Sequence, residues 1–467
     1  MRFQLQYIRL AILGAVLVPV SACSIKDLVD VGKGQREDVF SDEYVRSRPG
    51  AVGVVLDGYR LLQSAVSELS LQVALVTDEL TLRPISDANH QSSLVHLDAR
   101  NVAIGATGST TFFSQPALGG VNSIYTSLTA ARVQAMQGRD LLAPYPDDTL
   151  AKYRALAYVI EGYADLLLAE NFCGGVPLST ARYDADIEYS PARTTAEVFR
   201  AARYMFDSAA GAVPGDSIIE TVARIGRMRA LLGEGNLDSA FALSEHVRAT
   251  FMYVVPYSRA LPVVGAVSSA LFWTDTVSYQ RMNSGIEIVN HEGGAGRHWY
   301  DPVTGTMDPR VPIKTTMVDG VPVIPAIARP AKFAGGAPQF PLARGLEALL
   351  VQAEYYASHG GDWLTPLNTA RRQIGMADTS APAVADSTVD LIFRERAAWF
   401  YLEGRRLSDY RRLVRHYGRD AYSVYPTGSY TRGPLSISVY GSAYVFTPDA
   451  LEIENNYRYN GCLTLNP

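Results

Sequence analysis

The sequence predicts a mainly α protein in which helical hairpins pack against a loop-rich insert with little β structure. Three observations carry that expectation. Apolar residues recur at helical spacing over much of the chain, and two segments place small residues near a Gly-containing turn between helices. One stretch, at about 255–340, drops the helical period for Pro, Gly and β-branched residues. The composition agrees, with 467 residues of which 48% are hydrophobic and 19% charged, close to the globular average and unlike disordered, collagenous or multi-span chains. Lys plus Arg number 42 against 47 for Asp plus Glu, and there is no basic tract, which argues against nucleic acid as a partner.

Taken in order, the first segment is an address. Residues 1–10 carry Arg2 and Arg9 and no acid, and Leu10 to Val20 is an apolar run too short to span a bilayer comfortably. Together they have the basic and apolar regions of a secretory signal. Val20-Ser21-Ala22-Cys23 then resembles the lipobox of bacterial lipoproteins. That resemblance implies a signal peptide over 1–22, lipidation of Cys23 and attachment to a membrane through the lipid anchor. The alternative is ordinary cleavage near Ala22. Ser24 stands where an inner-membrane retention Asp commonly follows the cysteine, so the outer membrane is the expected destination, with either face open to the protein. With Cys23 lipidated, Cys173 and Cys462 remain as a pair in an oxidising compartment. They are expected as a disulfide, with two separate buried thiols as the alternative.

Residues 23–50 read as a polar tether. Val52, Val55, Leu56, Tyr59, Leu62 and Val66 follow helical spacing, continued through Leu71 to Leu80, and Tyr125 to Gln137 forms another helix. Tyr153, Leu156, Ile160, Tyr163, Leu167 and Leu168 make the clearest stripe, ended by Gly174-Gly175 and Pro177. The first hairpin places Ala230 and Ala240 around the turn Glu234-Gly235-Asn236. The second places Ala353 and Ala357 before Gly360-Gly361-Asp362, with Thr365 and Pro366 at the N-cap and first turn of the returning helix. Small residues at a helix crossing suit tetratricopeptide-like hairpins. A single long helix is expected from about Val389 to Tyr417, and an irregular tail from Tyr422 to Pro467.

No metal-ligand spacing, P-loop, nucleophile elbow or dinucleotide fingerprint occurs, so no catalytic, metal or cofactor site is expected. The densest polar constellation runs from Arg394 to Arg412. On one continuous helix it would pair Glu403 with Arg406 and Arg405 with Asp409, and it reads as a structural network tying a buried helix to its neighbours.

This constellation resembles the C-terminal signature of the SusD/RagB-type nutrient-binding outer-membrane lipoproteins, carried here by Glu395, Arg396, Glu403, Gly404, Arg406, Asp409 and Arg412. Trp399 stands where the family usually has Glu. Other pieces follow in family order. They are residues 156–178, the turn at 227–240 with Asn236 for Asp, Asp308-Pro309-Arg310, Lys332-Phe333, Arg344 with Glu347, Ala353-Glu354, and Phe446-Thr447-Pro448 with Glu452 and Asn455. The resemblance implies one domain over 51–467, with four tetratricopeptide-like units packed against a ligand-binding part. It implies no catalysis, capture of oligosaccharides or peptides, and delivery to a TonB-dependent outer-membrane β-barrel transporter. Aromatic platforms suit sugar faces, and the insert at about 255–340 supplies Phe272, Trp273, Tyr279, Trp299 and Tyr300 as candidate ligand contacts. The early loops add Asn89, His90, Phe112 and Phe113. The rival functions are a peptide-capturing member of the same family and a glycan-degrading surface enzyme.

Overall fold

The computed structural model describes residues 41–77, 79–84, 97–100, 124–256, 286–290, 301–315, 317–318, 321–322, 328–330, 332, 339–382, 387–430 and 439–467. Helical structure starts at Asp42, so the segment expected as a tether ends earlier than residue 50. Two serine caps explain this. The Ser41 side chain accepts from the Tyr44 N–H at the start of α1 (Asp42–Arg46), and Ser47 accepts from the Gly50 N–H at the start of α2 (Arg48–Val76). Helix α2 stops at Val76, and Leu80 opens strand β1 (Leu80–Pro84) instead of continuing the helix. Its antiparallel partner β5 (Ile286–Asn290) lies two hundred residues away, a pairing that overrides the local helical pattern.

The helical body continues with α3 (Ile124–Leu142), α4 (Ala151–Asn171), α5 (Thr195–Ala212), α6 (Ser217–Gly233), α7 (Leu237–Ser244), α8 (Leu346–His359) and α9 (Leu364–Arg372). Four helix pairs, α2/α3, α4/α5, α6/α7 and α8/α9, pack each on the next, matching the tetratricopeptide-like expectation. Their starts are chemically marked. Thr194 and Glu197 form a reciprocal capping box on α5, Asp216 caps α6, and Asn236 accepts from the Ser239 N–H at α7. At α9 the N-cap is Trp363 rather than the expected Thr365, and Asp362 just before it accepts from both the N–H and the hydroxyl of Thr365. Ala230, Ala240 and Ala353 are fully buried at the crossings. The closest approach lies where Phe206 of α5 fits between α4 and α6. A Cβ on Gly162 or Gly226 would stand 2.8 or 2.3 Å from its ring, so only glycine admits the phenylalanine there.

The expected long helix from Val389 to Tyr417 is two helices, α10 (Ser387–Trp399) and α11 (Arg406–Tyr417). Leu402 and Gly404 between them have φ of +56° and +69°, left-handed values that end one helix and redirect the chain into the next. The period on either side of the break is helical, which is why the sequence pattern reads straight through it.

Among the described residues the strands form only two-stranded pairs. They are β1/β5, β2 (Val176–Pro177) with β3 (Ala192–Arg193), β4 (Met252–Pro256) with β10 (Gln339–Arg344), β6 (Ile313–Thr315) with β9 (Ala328–Pro330), and β7 (Met317–Val318) with β8 (Val321–Pro322). The insert therefore leaves and rejoins the body through the adjacent strands β4 and β10. The tail holds two short helices, α12 (Ala421–Val424) and α13 (Ala450–Asn455), too short for a period to reveal. Cys173 and Cys462 form a disulfide, with Cα atoms 5.9 Å apart. Around it the N–H groups of Leu463 and Thr464 donate to the Gly174 carbonyl, at 2.6 and 3.0 Å. No helix among the described residues is long and apolar enough to cross a membrane.

Candidate functional site

The break between α10 and α11 is the centre of a buried charge network, and the network is what fastens the insert to the helical body. Glu395 on α10 accepts from two arginines. Arg371 of α9 donates to it at 2.7 Å and also to Asp301 of the insert at 2.8 Å. Arg310 bonds Glu395 and grips Asp308 through Nε and Nη2, at 2.9 and 2.6 Å. The chain Asp301–Arg371–Glu395–Arg310–Asp308 thus spans the insert, α9 and α10, and all five residues are buried.

A second set gathers on the turn itself. The Glu403 carboxylate accepts from Lys332 of the insert and Arg344 of β10, each at 2.7 Å. The same two cations donate to main-chain carbonyls at the end of α10, Lys332 to Tyr401 at 2.7 Å and Arg344 to Trp399 at 3.0 Å. Left-handed backbone frees those carbonyls from helical bonding, so the turn becomes a socket for cations from the insert. A third set ties α10 and α11 to α8. Arg396 clasps Asp409 at 2.8–3.0 Å, Arg405 pairs with Glu347, and Arg412 pairs with Glu354 and with Asp409 at 3.4 Å.

The signature residues are therefore used differently from the pairing expected on one helix. Glu403 bonds Lys332 and Arg344 rather than Arg406, and Arg405 bonds Glu347 rather than Asp409. Arg406 lies over the Tyr410 ring, 4.7 Å from its centroid. Trp399 presents its ring to Arg310 at 5.2 Å and to Arg344 at 6.0 Å, a cation–π contact with two cations of the network. Sequence reasoning missed Arg371 and Asp301 in this network. It also missed two bridges deeper in the body, Arg229–Glu170 between α6 and α4 and Arg132–Asp165 between α3 and α4. A helical stripe marks such residues only as polar positions on a buried face, which Glu170, Asp165 and Arg132 are.

Electrostatically the network favours the ionised forms of Glu403 and Asp409. Burial alone would raise the Glu403 and Asp409 carboxyls, but Arg344 and Lys332 in one case, and Arg396 and Arg412 in the other, outweigh it and hold both below the ordinary range. The stability these two contribute is present above their unfolded values, near 4.5 and 3.8, and is lost as the pH falls through the lower folded ones. Glu68 on α2 is the opposite case. Its Oε2 has no hydrogen-bond partner, and burial pushes the carboxyl up to about 7. Its contribution is complete below about 4.5 and disappears as the pH rises through about 7. Glu68→Gln is therefore expected to be more stable than the parent at pH 8, by up to about 2–3 kcal/mol, with the difference vanishing near pH 4. Urea midpoints at the two pH values check this, and equal midpoints at pH 8 would refute it.

Cys23 and the insert aromatics Phe272, Trp273, Tyr279, Trp299 and Tyr300 lie outside the described residues, as do Asn89, His90, Phe112 and Phe113. Among the described residues no group of His, Cys, Asp and Glu is arranged to hold a metal ion.

No family model matches the chain, and no curated protein matches it. Solved structures do. A SusD superfamily protein from Bacteroides thetaiotaomicron aligns at a TM-score of 0.62 and 15% identity, over 89% of this chain and 99% of that one. A SusD-like carbohydrate binding protein from Bacteroides vulgatus aligns at 0.60 and 14%, over 89% and 97%. Surface glycan-binding protein A from Bacteroides uniformis aligns at 0.53 and 12%, over 86% and 98%. The chain has the fold of these proteins along nearly their full length.

Proposed function

We propose that this chain, built on the fold of the SusD superfamily, is a non-enzymatic cell-surface lipoprotein that captures nutrient oligomers, oligosaccharides above all, and passes them to a TonB-dependent outer-membrane transporter. The observation that carries the reading is the way the network is spent. Glu395, Glu403 and Asp409 are each held by at least two cations, which suits a rigid frame that presents a variable insert and leaves none of the three available for acid–base chemistry. Two of the similar structures are described as carbohydrate-binding or glycan-binding proteins, which supports a glycan as ligand. The Cys173–Cys462 disulfide suits an oxidising compartment outside the cytoplasm, in keeping with a lipid anchor at Cys23.

In this reading Trp273 and Trp299 stack on sugar faces, with Phe272, Tyr279 and Tyr300 around them. Trp273→Ala or Trp299→Ala is expected to weaken glycan binding about tenfold or more while leaving Tm unchanged. A fall in Tm with either would return that residue to the core. The deciding experiment is a pull-down from detergent-solubilised outer membranes with the partner identified by mass. A TonB-dependent barrel at near-equal stoichiometry is the expected result. Recovery of the chain alone, or a Cys23→Ala variant that still partitions with membranes, would overturn the transporter role or the anchor respectively.

A further inference from the structure

Among the described residues seven of the nine buried arginines face a carboxylate, and Arg100 and Arg411 do not. Arg132, Arg229, Arg310, Arg371, Arg396, Arg405 and Arg412 each face at least one carboxylate. Arg229 shows the usual grip, with Nε and Nη2 closing as a fork on the two oxygens of Glu170 at 3.1 and 2.6 Å. Arg411 on α11 is 3% exposed and makes no such pair. Its Nη1 donates to the carbonyls of Ala169 and Glu170 at the end of α4, at 2.8 and 2.7 Å, while Nε and Nη2, the fork itself, are buried without an acceptor. The C-terminal end of α4 offers partial negative charge to one nitrogen only.

The surroundings add positive charge rather than remove it. Arg415 follows one turn later on the same helix, at the solvent-exposed edge, where its guanidinium donates to the carbonyls of Asn466 and Pro467. The Tyr425 ring, 3% exposed, packs edge-on to Tyr410 and Tyr444 at 4.9 Å each, and its hydroxyl donates to the Tyr444 carbonyl at 3.3 Å. Burial first, then repulsion from Arg415, draws the Arg411 guanidinium down to about 9, with Tyr425 and the already bridged Glu170 acting weakly in the other direction. Arg100, which likewise has no carboxylate, meets its need differently, under the faces of Tyr425, Tyr440 and Tyr444. Among the described residues no aromatic ring faces the Arg411 guanidinium in this way.

We propose that the Arg411 fork, with Arg415 guarding its outer side, is an internal binding site for a small oxyanion of the sulfate, phosphate or carboxylate class. Two parallel N–H groups match two oxygens of such an anion, as they match Glu170 on Arg229. The bound ion would join α11, the end of α4 and the C-terminal segment into one charge-balanced unit. The inference is independent of the ligand carried by the insert.

Selenate provides the test, since it replaces sulfate and scatters anomalously. In crystals of the full chain grown with sodium selenate, the expected result is a selenium peak within hydrogen-bond distance of Arg411 Nε and Nη2. In solution, at constant ionic strength set with sodium chloride, Tm is expected to rise and saturate at low-millimolar selenate. Parallel titrations with phosphate and with acetate identify which oxyanion binds best. Arg411→Gln is expected to abolish the saturable rise, and Arg415→Gln, at the surface and milder for folding, to shift its midpoint upward several-fold. Water-sized density at the fork with no anomalous peak would overturn the proposal. So would a rise in Tm of the same size in both variants, the mark of a general salt effect.

Discussion

Glu395→Ala is expected to lower stability by about 3–5 kcal/mol, because it leaves the guanidiniums of Arg310 and Arg371 buried with their shared carboxylate gone. Arg371 is wholly inaccessible to solvent, so water cannot take the place of the lost oxygen without the packing opening. The damage should be local as well as global. Arg310, with Asp308 behind it, is held to α10 through this carboxylate, and Asp301 is held to α9 by Arg371, whose other partner is the same carboxylate, so limited proteolysis should cut near residues 301–310 sooner in the variant. Glu395→Gln, which keeps one oxygen and the side-chain volume, should lose less. Denaturant midpoints measure the first effect and timed digestion the second. A loss under about 1 kcal/mol with an unchanged digestion pattern would show that the network does not bind the insert to the body.

Breaking the Cys173–Cys462 bond comes next in size. The two residues are 289 positions apart, so the bond restrains almost two thirds of the unfolded chain, and Cys173→Ser with Cys462→Ser is expected to cost about 2–5 kcal/mol. The native-state consequence is confined by geometry. The N–H groups of Leu463 and Thr464 keep their bonds to the Gly174 carbonyl, so the tail should loosen beyond these bonds rather than detach at once. Hydrogen exchange of Leu463 and Thr464 would report it. The intact protein should weigh two protons less than after reduction, and thiol labelling of both cysteines without reductant would refute the bond.

Much of the architecture was legible in the sequence where periodicity and turn chemistry agreed. Of the stripe from Tyr153 to Leu168, Ile160, Tyr163, Leu167 and Leu168 are buried in α4 and Tyr153 and Leu156 half-buried at its start, and the alanines at 230, 240 and 353 sit at crossings as small residues must. The signature from Glu395 to Arg412 was legible as a structural network, and the structure adds Arg371, Asp301 and Lys332 as partners across long sequence separations. Two things were hidden for a physical reason. The period of α10 and α11 is helical on both sides of residues 400–405, and only the positive φ at Leu402 and Gly404, a backbone property, marks the break. Likewise Leu80 follows a helical pattern but joins a strand, because its partner at Asn290 is remote in sequence. The partners of Arg371 and Arg229 are also set by tertiary packing, and no local spacing encodes them.

The β4/β10 pair has a consequence for how such proteins diversify. Pro256 stands opposite Gln339 in that ladder, so the chain departs and returns at neighbouring points about 5 Å apart. What lies between is a cassette whose ends are already closed by backbone bonds, and its length is of little concern to the helices beneath. Exchange with the corresponding segment of another protein of this fold should keep the body folded on one condition. The graft must bring its own counterparts of Asp301, Arg310 and Lys332, which pair with charges of α9, α10 and the turn that follows, and of Asp308, which holds Arg310 in place. The sequence of the insert can then change between those fixed points while the frame beneath it stays the same.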